Sequence, residues 1–422
     1  MNCASSAAMP FSNSEPPRAG PRPGRRETVA LLAGLMALNA LAIDAMLPAL
    51  PAIGEALGVD TENRRQLVVV AYMLGFGSTQ MIWGPLADRF GRRPILALGI
   101  TLYAGFALAS GLAPSFTLLI AARIGMGASA AVTRVLVTAM VRDLFEGEAM
   151  ARVMSLVFMT FMLVPMIAPS IGQGILLVGS WRLIFIVLGV YAGVMLVWSQ
   201  LRLPETLHAE YRRLLEWRTI GAAVAATLRE RLSLGYTLGL TAVFGGLTGY
   251  IASIQQIVFD VFDAPRAIGL VFAAIAAPMA VGSWLNSRLV GRFGIRRVGH
   301  AGLLAFVAAG VAHLLVASTV GESLVVFIIL QSLAMGSFAF TSANFGTLSM
   351  TNMAAFAGTA SSVQGTIGTI GGALIGLAIG QAFDGTQIPF LIGMAACSIM
   401  ALIAVALTER GRLFGAMDPA TA

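Results

Sequence analysis

Twelve runs of about twenty apolar residues, separated by short polar turns, dominate this chain. They cover 28–50, 66–87, 94–112, 115–141, 150–178, 182–202, 234–258, 267–290, 298–318, 323–349, 354–382 and 388–407. A helix of about twenty residues crosses the ~30 Å hydrocarbon core of a bilayer. The runs are continuous rather than alternating, which excludes the pattern of a membrane β-barrel. The pattern therefore predicts an all-α integral membrane protein with twelve transmembrane helices.

The runs fall into two sets of six. The longest hydrophilic stretch beyond the N-terminal tail is 203–231, and it separates them. The chain also repeats itself: Arg89-Phe90-Gly91-Arg92-Arg93 follows run 2, and Arg292-Phe293-Gly294-Ile295-Arg296-Arg297 follows run 8. A repeat of this kind implies two pseudo-symmetric six-helix halves with a substrate site near the midplane between them. The expected organisation is a disordered cytoplasmic tail (1–27, rich in Ser, Pro and Arg), an N-terminal half (28–203), a cytoplasmic linker (204–231), a C-terminal half (232–408) and a cytoplasmic tail (409–422).

Charge then sets the topology. The net charge is +7 with charged residues at only 11%, and every basic side chain other than histidine is arginine. Arg18, Arg22, Arg25 and Arg26 precede run 1, Arg89, Arg92 and Arg93 lie between runs 2 and 3, and Arg288, Arg292, Arg296 and Arg297 between runs 8 and 9. The alternate loops carry Glu55, Asp60 and Glu62 against Arg64 and Arg65, then Asp260 and Asp263 against Arg266. By the positive-inside rule both termini and the linker face the cytoplasm. Topology thus explains the basic balance without a nucleic-acid partner. Cys3 and Cys397 sit in a tail and a span, so neither a disulfide nor a metal site is expected, and no cofactor.

Asp44 stands inside run 1, whereas the other carboxylates between Glu15 and Glu409 fall in loops or near run ends. A charge at membrane depth costs roughly 2.5–3.5 kcal/mol and usually marks an ion or substrate path. Desolvation favours the neutral acid, so Asp44 is the candidate proton carrier. Arg123, in run 4, is the second buried charge. Counting along the helices puts Asp44 roughly 9 Å and Arg123 roughly 12 Å below the outer surface, so the two are placed to pair. Arg134 lies eleven residues on, near the same helical face. It is either a candidate cavity charge or an interfacial arginine that snorkels.

The motifs carry a resemblance. Gly84-Pro85-Leu86-Ala87-Asp88-Arg89-Phe90-Gly91-Arg92-Arg93-Pro94 resembles the loop 2–3 motif of the major facilitator superfamily. Ile43-Asp44-Ala45-Met46-Leu47-Pro48-Ala49-Leu50-Pro51 is similar to the first span of its Bcr/CflA-type drug resistance branch, the twelve-span drug:proton antiporters. Val141-Arg142-Asp143, Ala168-Pro169-Ser170-Ile171-Gly172, Pro204-Glu205-Thr206 and Leu285-Asn286-Ser287 add to it. The resemblance implies the major facilitator fold, a proton-coupling role for the arginine at position 123, and drug export by alternating access. It also implies a conformational latch built from Gly84, Asp88, Arg89, Gly91, Arg92 and Arg93. Run 5 resembles the antiporter motif, with Pro165, Pro169 and Gly172 as its kink residues. Two departures stand out: Met126 replaces the usual Gln, and Ala168 and Gln173 replace two glycines. In the second copy of the loop motif, Gly291 stands opposite Asp88.

Other features read more simply. Gly372, Gly376 and Gly380 form a small-xxx-small run for close helix packing. His313 has no acid within a turn and is read as a hydrogen-bonded structural residue. Gly127-Ala128-Ser129-Ala130 lacks the glycine that a protease serine motif needs, so the chain is not read as an enzyme. The expectation is a monomeric, multi-pass transporter of the bacterial inner membrane. Its partners are a small-molecule substrate, protons and the lipid bilayer. Export of a drug or other small organic molecule stands first, with export or uptake of an endogenous metabolite as the alternative.

Overall fold

The computed structural model describes residues 24–59, 61–145, 147–207, 217–353 and 357–415. Cys3, most of the expected N-terminal tail and half of the expected C-terminal tail lie outside them, as do residues 208–216 of the linker.

Among the described residues twelve long helices run back and forth. They are α1 (Arg25–Asp44), α2 (Leu67–Phe90), α3 (Arg92–Gly111), α4 (Phe116–Leu144), α5 (Gly147–Val178), α6 (Trp181–Arg202), α7 (Arg231–Gln256), α8 (Ile268–Phe293), α9 (Ile295–Thr319), α10 (Leu324–Leu348), α11 (Ala357–Gln381) and α12 (Ile388–Thr408). Among the described residues eleven helical stretches are long and apolar enough to cross a membrane, and α5 adds the apolar stretch Leu163–Val178. The two halves share local devices. Ser115 and Ser323 cap the fourth helix of each half, accepting from Leu118 N and Val326 N at 3.4 Å. Gly91 and Gly294 both take positive φ, 101° and 84°, and let the chain turn directly from one helix into the next. The repeated Phe-Gly pair in the sequence is this turn.

Three stretches show local structure that the apolar pattern does not describe. Run 1 is not one helix: α1 stops at Asp44, a 3-10 turn follows at Leu47–Ala49, and a short helix at Leu50–Ala56 completes the span. Pro48 and Pro51 explain the break, because neither has the N–H that would bond the carbonyl four residues back. The linker holds an amphipathic helix, Trp217–Arg229, whose buried Ala223 and Thr227 lie one turn apart. The start of the C-terminal tail folds back on its own half: Phe414 N donates to His300 Nδ1 at 3.1 Å.

The halves meet along α2 with α11 and α5 with α8. At the end distal to the linker the meeting is polar and dense. Gln66 bonds Gln256, and Gln256 Nε2 donates to Asn63 Oδ1 at 2.9 Å. Asn63 Nδ2 donates to Gln381 O at 3.0 Å and Phe383 O at 2.9 Å, and Gln173 Nε2 to Pro265 O at 2.9 Å. Deeper in, Gln80 Nε2 donates to Thr369 Oγ1 at 3.0 Å. Fourteen residues of α2, about 21 Å, separate Gln66 from Gln80. At the linker end the ion pairs Arg92–Asp88, Arg92–Asp143, Arg202–Glu27 and Arg296–Glu409 each join residues on the same side of the linker. The glycines of α11 serve α7: Gly372 lies against Phe244 and Gly376 against Thr248.

Candidate functional site

Asp44 is the last residue of α1 and only 3% exposed. Its Oδ1 has no hydrogen-bond partner, and it is the one carboxylate oxygen among the described residues buried in that state. A helix C-terminus presents partial negative charge, so nothing local favours a carboxylate there. The prolines that break the helix thus place the acid at its least hospitable end.

The antiporter-type motif lies against this break. Gly172 is buried so close to α1 that a Cβ there would stand 1.9 Å from Ala45 O and 3.1 Å from Pro48 Cγ. Only glycine permits that approach, and Ala45 is the next residue after Asp44. Pro169 is buried one turn earlier, while Pro165 is half-buried, and α5 continues through both. From the opposite half, Tyr250 on α7 is 3% exposed and its hydroxyl also lacks a partner. Sequence reasoning missed Tyr250. A tyrosine inside an apolar run carries no signal until the facing half is known.

Arg123 is fully buried at the same level of the bundle but does not pair with Asp44. Its Nε donates to Val68 O at 2.9 Å and an NH2 to Ala42 O at 3.0 Å. The guanidinium lies over the rings of Tyr72, 4.6 Å, and Phe185, 5.7 Å. Ala42 precedes Asp44 by two residues, and positions two apart on a helix face different ways. The depth expectation therefore holds and the pairing expectation does not. Tyr72 extends the arrangement, donating to Asn39 Oδ1 at 3.0 Å, and Asn39 Nδ2 donates to Thr133 Oγ1 at 2.8 Å. This polar chain ties α1, α2 and α4 together. Arg134 is half-buried and makes no ion pair among the described residues.

The loop motif is assembled with two others that the sequence shows only separately. Arg92 pairs with Asp88 at 2.6 Å and Asp143 at 3.3 Å. Glu205 accepts from Arg92 N at 2.9 Å and Arg93 N at 3.2 Å, capping the N-terminus of α3. Arg93 also reaches Gln200 O. Arg89 lies over Phe90 at 5.0 Å, and Gly84 stands near Val135. Of the partners of Arg92 and Arg93 here, Asp88, Asp143 and Gln200 belong to the N-terminal half and Glu205 to the start of the linker. The C-terminal half repeats the idea with Arg296 and Glu409, 3.4 Å apart.

A second buried acid is paired. His313 Nε2 and Glu322 Oε1 are 2.7 Å apart, both side chains 0% exposed. The expected structural hydrogen bond of His313 is present, but its partner comes from the loop after α9, nine residues away. That loop folds inward, which counting turns along a helix does not anticipate.

Comparison with known proteins agrees with this architecture. The model of the Major Facilitator Superfamily matches residues 32–376. The chain is 33% identical to the uncharacterized MFS-type transporter YdgK of Bacillus subtilis, over 64% of this chain and 67% of the relative. It is 28% identical to a bicyclomycin resistance protein homolog of Haemophilus influenzae, over 88% of this chain and 93% of that one. Among solved structures, a bacterial homolog of the human lysosomal transporter Spinster, in an inward-facing and unoccupied conformation, superposes with a TM-score of 0.70. That alignment covers 95% of this chain and 100% of the other at 18% identity, and so speaks to the fold.

Proposed function

The chain belongs to the major facilitator superfamily of membrane transporters, and from that premise we propose that it exports small organic molecules from the cytoplasm in exchange for protons, with Asp44 as the proton carrier. The observation that carries this reading is the buried carboxyl of Asp44, unpartnered at a helix break beside Gly172. An unpaired charge in such a place is costly, and the neutral acid is not. The resistance-protein relative supports the export of a drug-like substrate.

The arginine-rich loops and the linker lie at one end, which the positive-inside rule assigns to the cytoplasm of a bacterial inner membrane. The polar seal from Asn63 to Phe383 then closes the periplasmic end, and substrate enters from the cytoplasmic end. Asp44 carries its proton while sealed. Substrate binding and proton loss to the cytoplasm allow the halves to rock, and the latch around Arg92 exchanges partners as the linker end closes. Opening of the seal exposes Asp44 to the periplasm, where protonation accompanies substrate release.

With Asp44 as the one unpaired buried acid among the described residues, the coupling is one proton per cycle. A driving force of ~200 mV then supplies roughly 4.6 kcal/mol, enough for a gradient of about a thousandfold in a neutral substrate. Protonated Asp44 offers no negative charge, so neutral, zwitterionic or anionic compounds are favoured over dications. Growth of an efflux-deficient bacterial host on a compound panel, with and without this protein, tests the reading. Protection against neutral antibiotics supports it. Protection against none, or chiefly against quaternary ammonium dyes, contradicts it.

A further inference from the structure

The two copies of the loop motif are treated differently by their surroundings. In the N-terminal half, Arg92 is neutralised by Asp88 and Asp143. In the C-terminal half Gly291 replaces the aspartate, and a side chain there would meet nothing within 4 Å. Arg296 has Glu409, but Arg288, Arg292 and Arg297 make no ion pair among the described residues. Arg288 lies over Trp284 at 4.1 Å and Arg292 over Phe293 at 5.3 Å; both rings are about half exposed. This is an uncompensated basic rim at the level where α8 turns into α9.

A groove of about 470 Å³ opens beneath that rim, between α8, α9 and α10. Arg297 lines its mouth, and Leu289, Phe293, Val298, Ala301, Ala305 and Phe340 form its walls. Ala305 lies eight residues past Arg297, about 12 Å deeper along the helix. The groove therefore begins at headgroup depth and descends into the hydrocarbon. Its walls are apolar and its mouth is cationic, which is the chemistry of a single anionic phospholipid.

We infer that this groove binds an anionic phospholipid, one acyl chain against Ala301 and Ala305 and the phosphate on Arg297 and Arg292. Polybasic sites beside transmembrane helices on the cytoplasmic face attract anionic lipid by about fivefold per arginine. Arg292 and Arg297 have no ion-pair partner among the described residues, which leaves their charges free to do so. The N-terminal copy spends its arginine on internal carboxylates instead.

The test uses the full chain in mild detergent, titrated with phosphatidylglycerol or phosphatidylcholine of identical acyl chains, with bound lipid counted by native mass spectrometry. The expected result is at least tenfold tighter binding of phosphatidylglycerol. Arg292→Gln with Arg297→Gln lowers that affinity roughly 25-fold and leaves phosphatidylcholine unchanged. Arg297 is exposed, so these variants fold; Arg297→Lys, which keeps the charge, stays within threefold of the parent. Ala301→Trp fills the groove while leaving the arginines, and it also weakens phosphatidylglycerol binding. Arg266→Gln, in the loop before α8, has no effect. Equal binding of the two lipids, or undiminished binding in the double variant, overturns the inference. So does displacement by inorganic phosphate with no effect of Ala301→Trp, which marks a free-phosphate site instead.

Discussion

Arg123 donates to the carbonyl of Ala42, two residues short of Asp44, and leaves the carboxyl alone. The arginine closes backbone acceptors of α1 and α2 and stacks between two aromatic rings. It acts in this conformation as a structural tie within the N-terminal half.

A thermodynamic cycle follows from that separation. Arg123→Ala removes a buried, multiply bonded cation and is expected to cost about 3 kcal/mol or more of stability. The same loss is expected in an Asp44→Asn background, within about 0.5 kcal/mol, since non-interacting sites add. Denaturant unfolding in detergent of the four proteins measures it. A markedly smaller loss in the Asp44→Asn background reveals an ion pair absent from this conformation.

The His313–Glu322 pair gives the opposite expectation. Each partner is wholly shielded, and Gln387 Nε2 also approaches Glu322 Oε2 at 3.4 Å. Removing one partner of such a pair costs about 3–5 kcal/mol. His313→Ala and Glu322→Ala should each lower the melting temperature, and the double variant should lose clearly less than the two losses combined. Additive losses count against a direct bond.

Gly91 and Gly294 isolate the contribution of Glu205. Both positions have positive φ, so alanine at either brings backbone strain of about 1–3 kcal/mol. A Cβ at 91 would also stand 2.5 Å from Glu205 Oε2, while one at 294 would meet nothing within 4 Å. Gly91→Ala should therefore be the more destabilising by about 1 kcal/mol or more, the worth of a disturbed charged hydrogen bond. Equal melting temperatures for the two variants contradict the proposed capping role.

The distal seal predicts a trap. Gln66→Cys with Gln256→Cys, joined by a short thiol-reactive cross-linker, holds together side chains that bond in this conformation. Transport in vesicles should fall at least tenfold on cross-linking with a cleavable reagent and return on its cleavage. Undiminished transport in the linked protein shows that the seal need not open.

Much of this was legible in the chain. Apolar run length gave all twelve helices, because membrane thickness fixes helix length more strictly than local propensity does. The repeated Arg-Phe-Gly marked equivalent turns, since a positive φ demands glycine in both halves. Asp44 could be singled out because an acid in an apolar run is rare. What sequence could not supply was direction around the helix axis. Depth counting put Arg123 level with Asp44, but which neighbour each faces depends on how four helices pack. Pro48 and Pro51 signalled the break after Asp44, yet the length of the apolar run concealed it. Glu322 looked like an ordinary loop acid until the loop was seen to fold onto His313. Arg92, Asp143 and Glu205 lie in three separate motifs, and only folding brings them into one cluster.

Proton-gradient-driven substrate accumulation in proteoliposomes carrying Asp44→Asn tests the account most directly. The variant keeps the buried shape and removes the titrating group, so folding and substrate exchange without a gradient should persist. Accumulation driven by the pH gradient should fall at least tenfold. Asp44→Asn protein that accumulates substrate as the parent does, with the same dependence on the gradient, would contradict the assignment of Asp44 as the proton carrier.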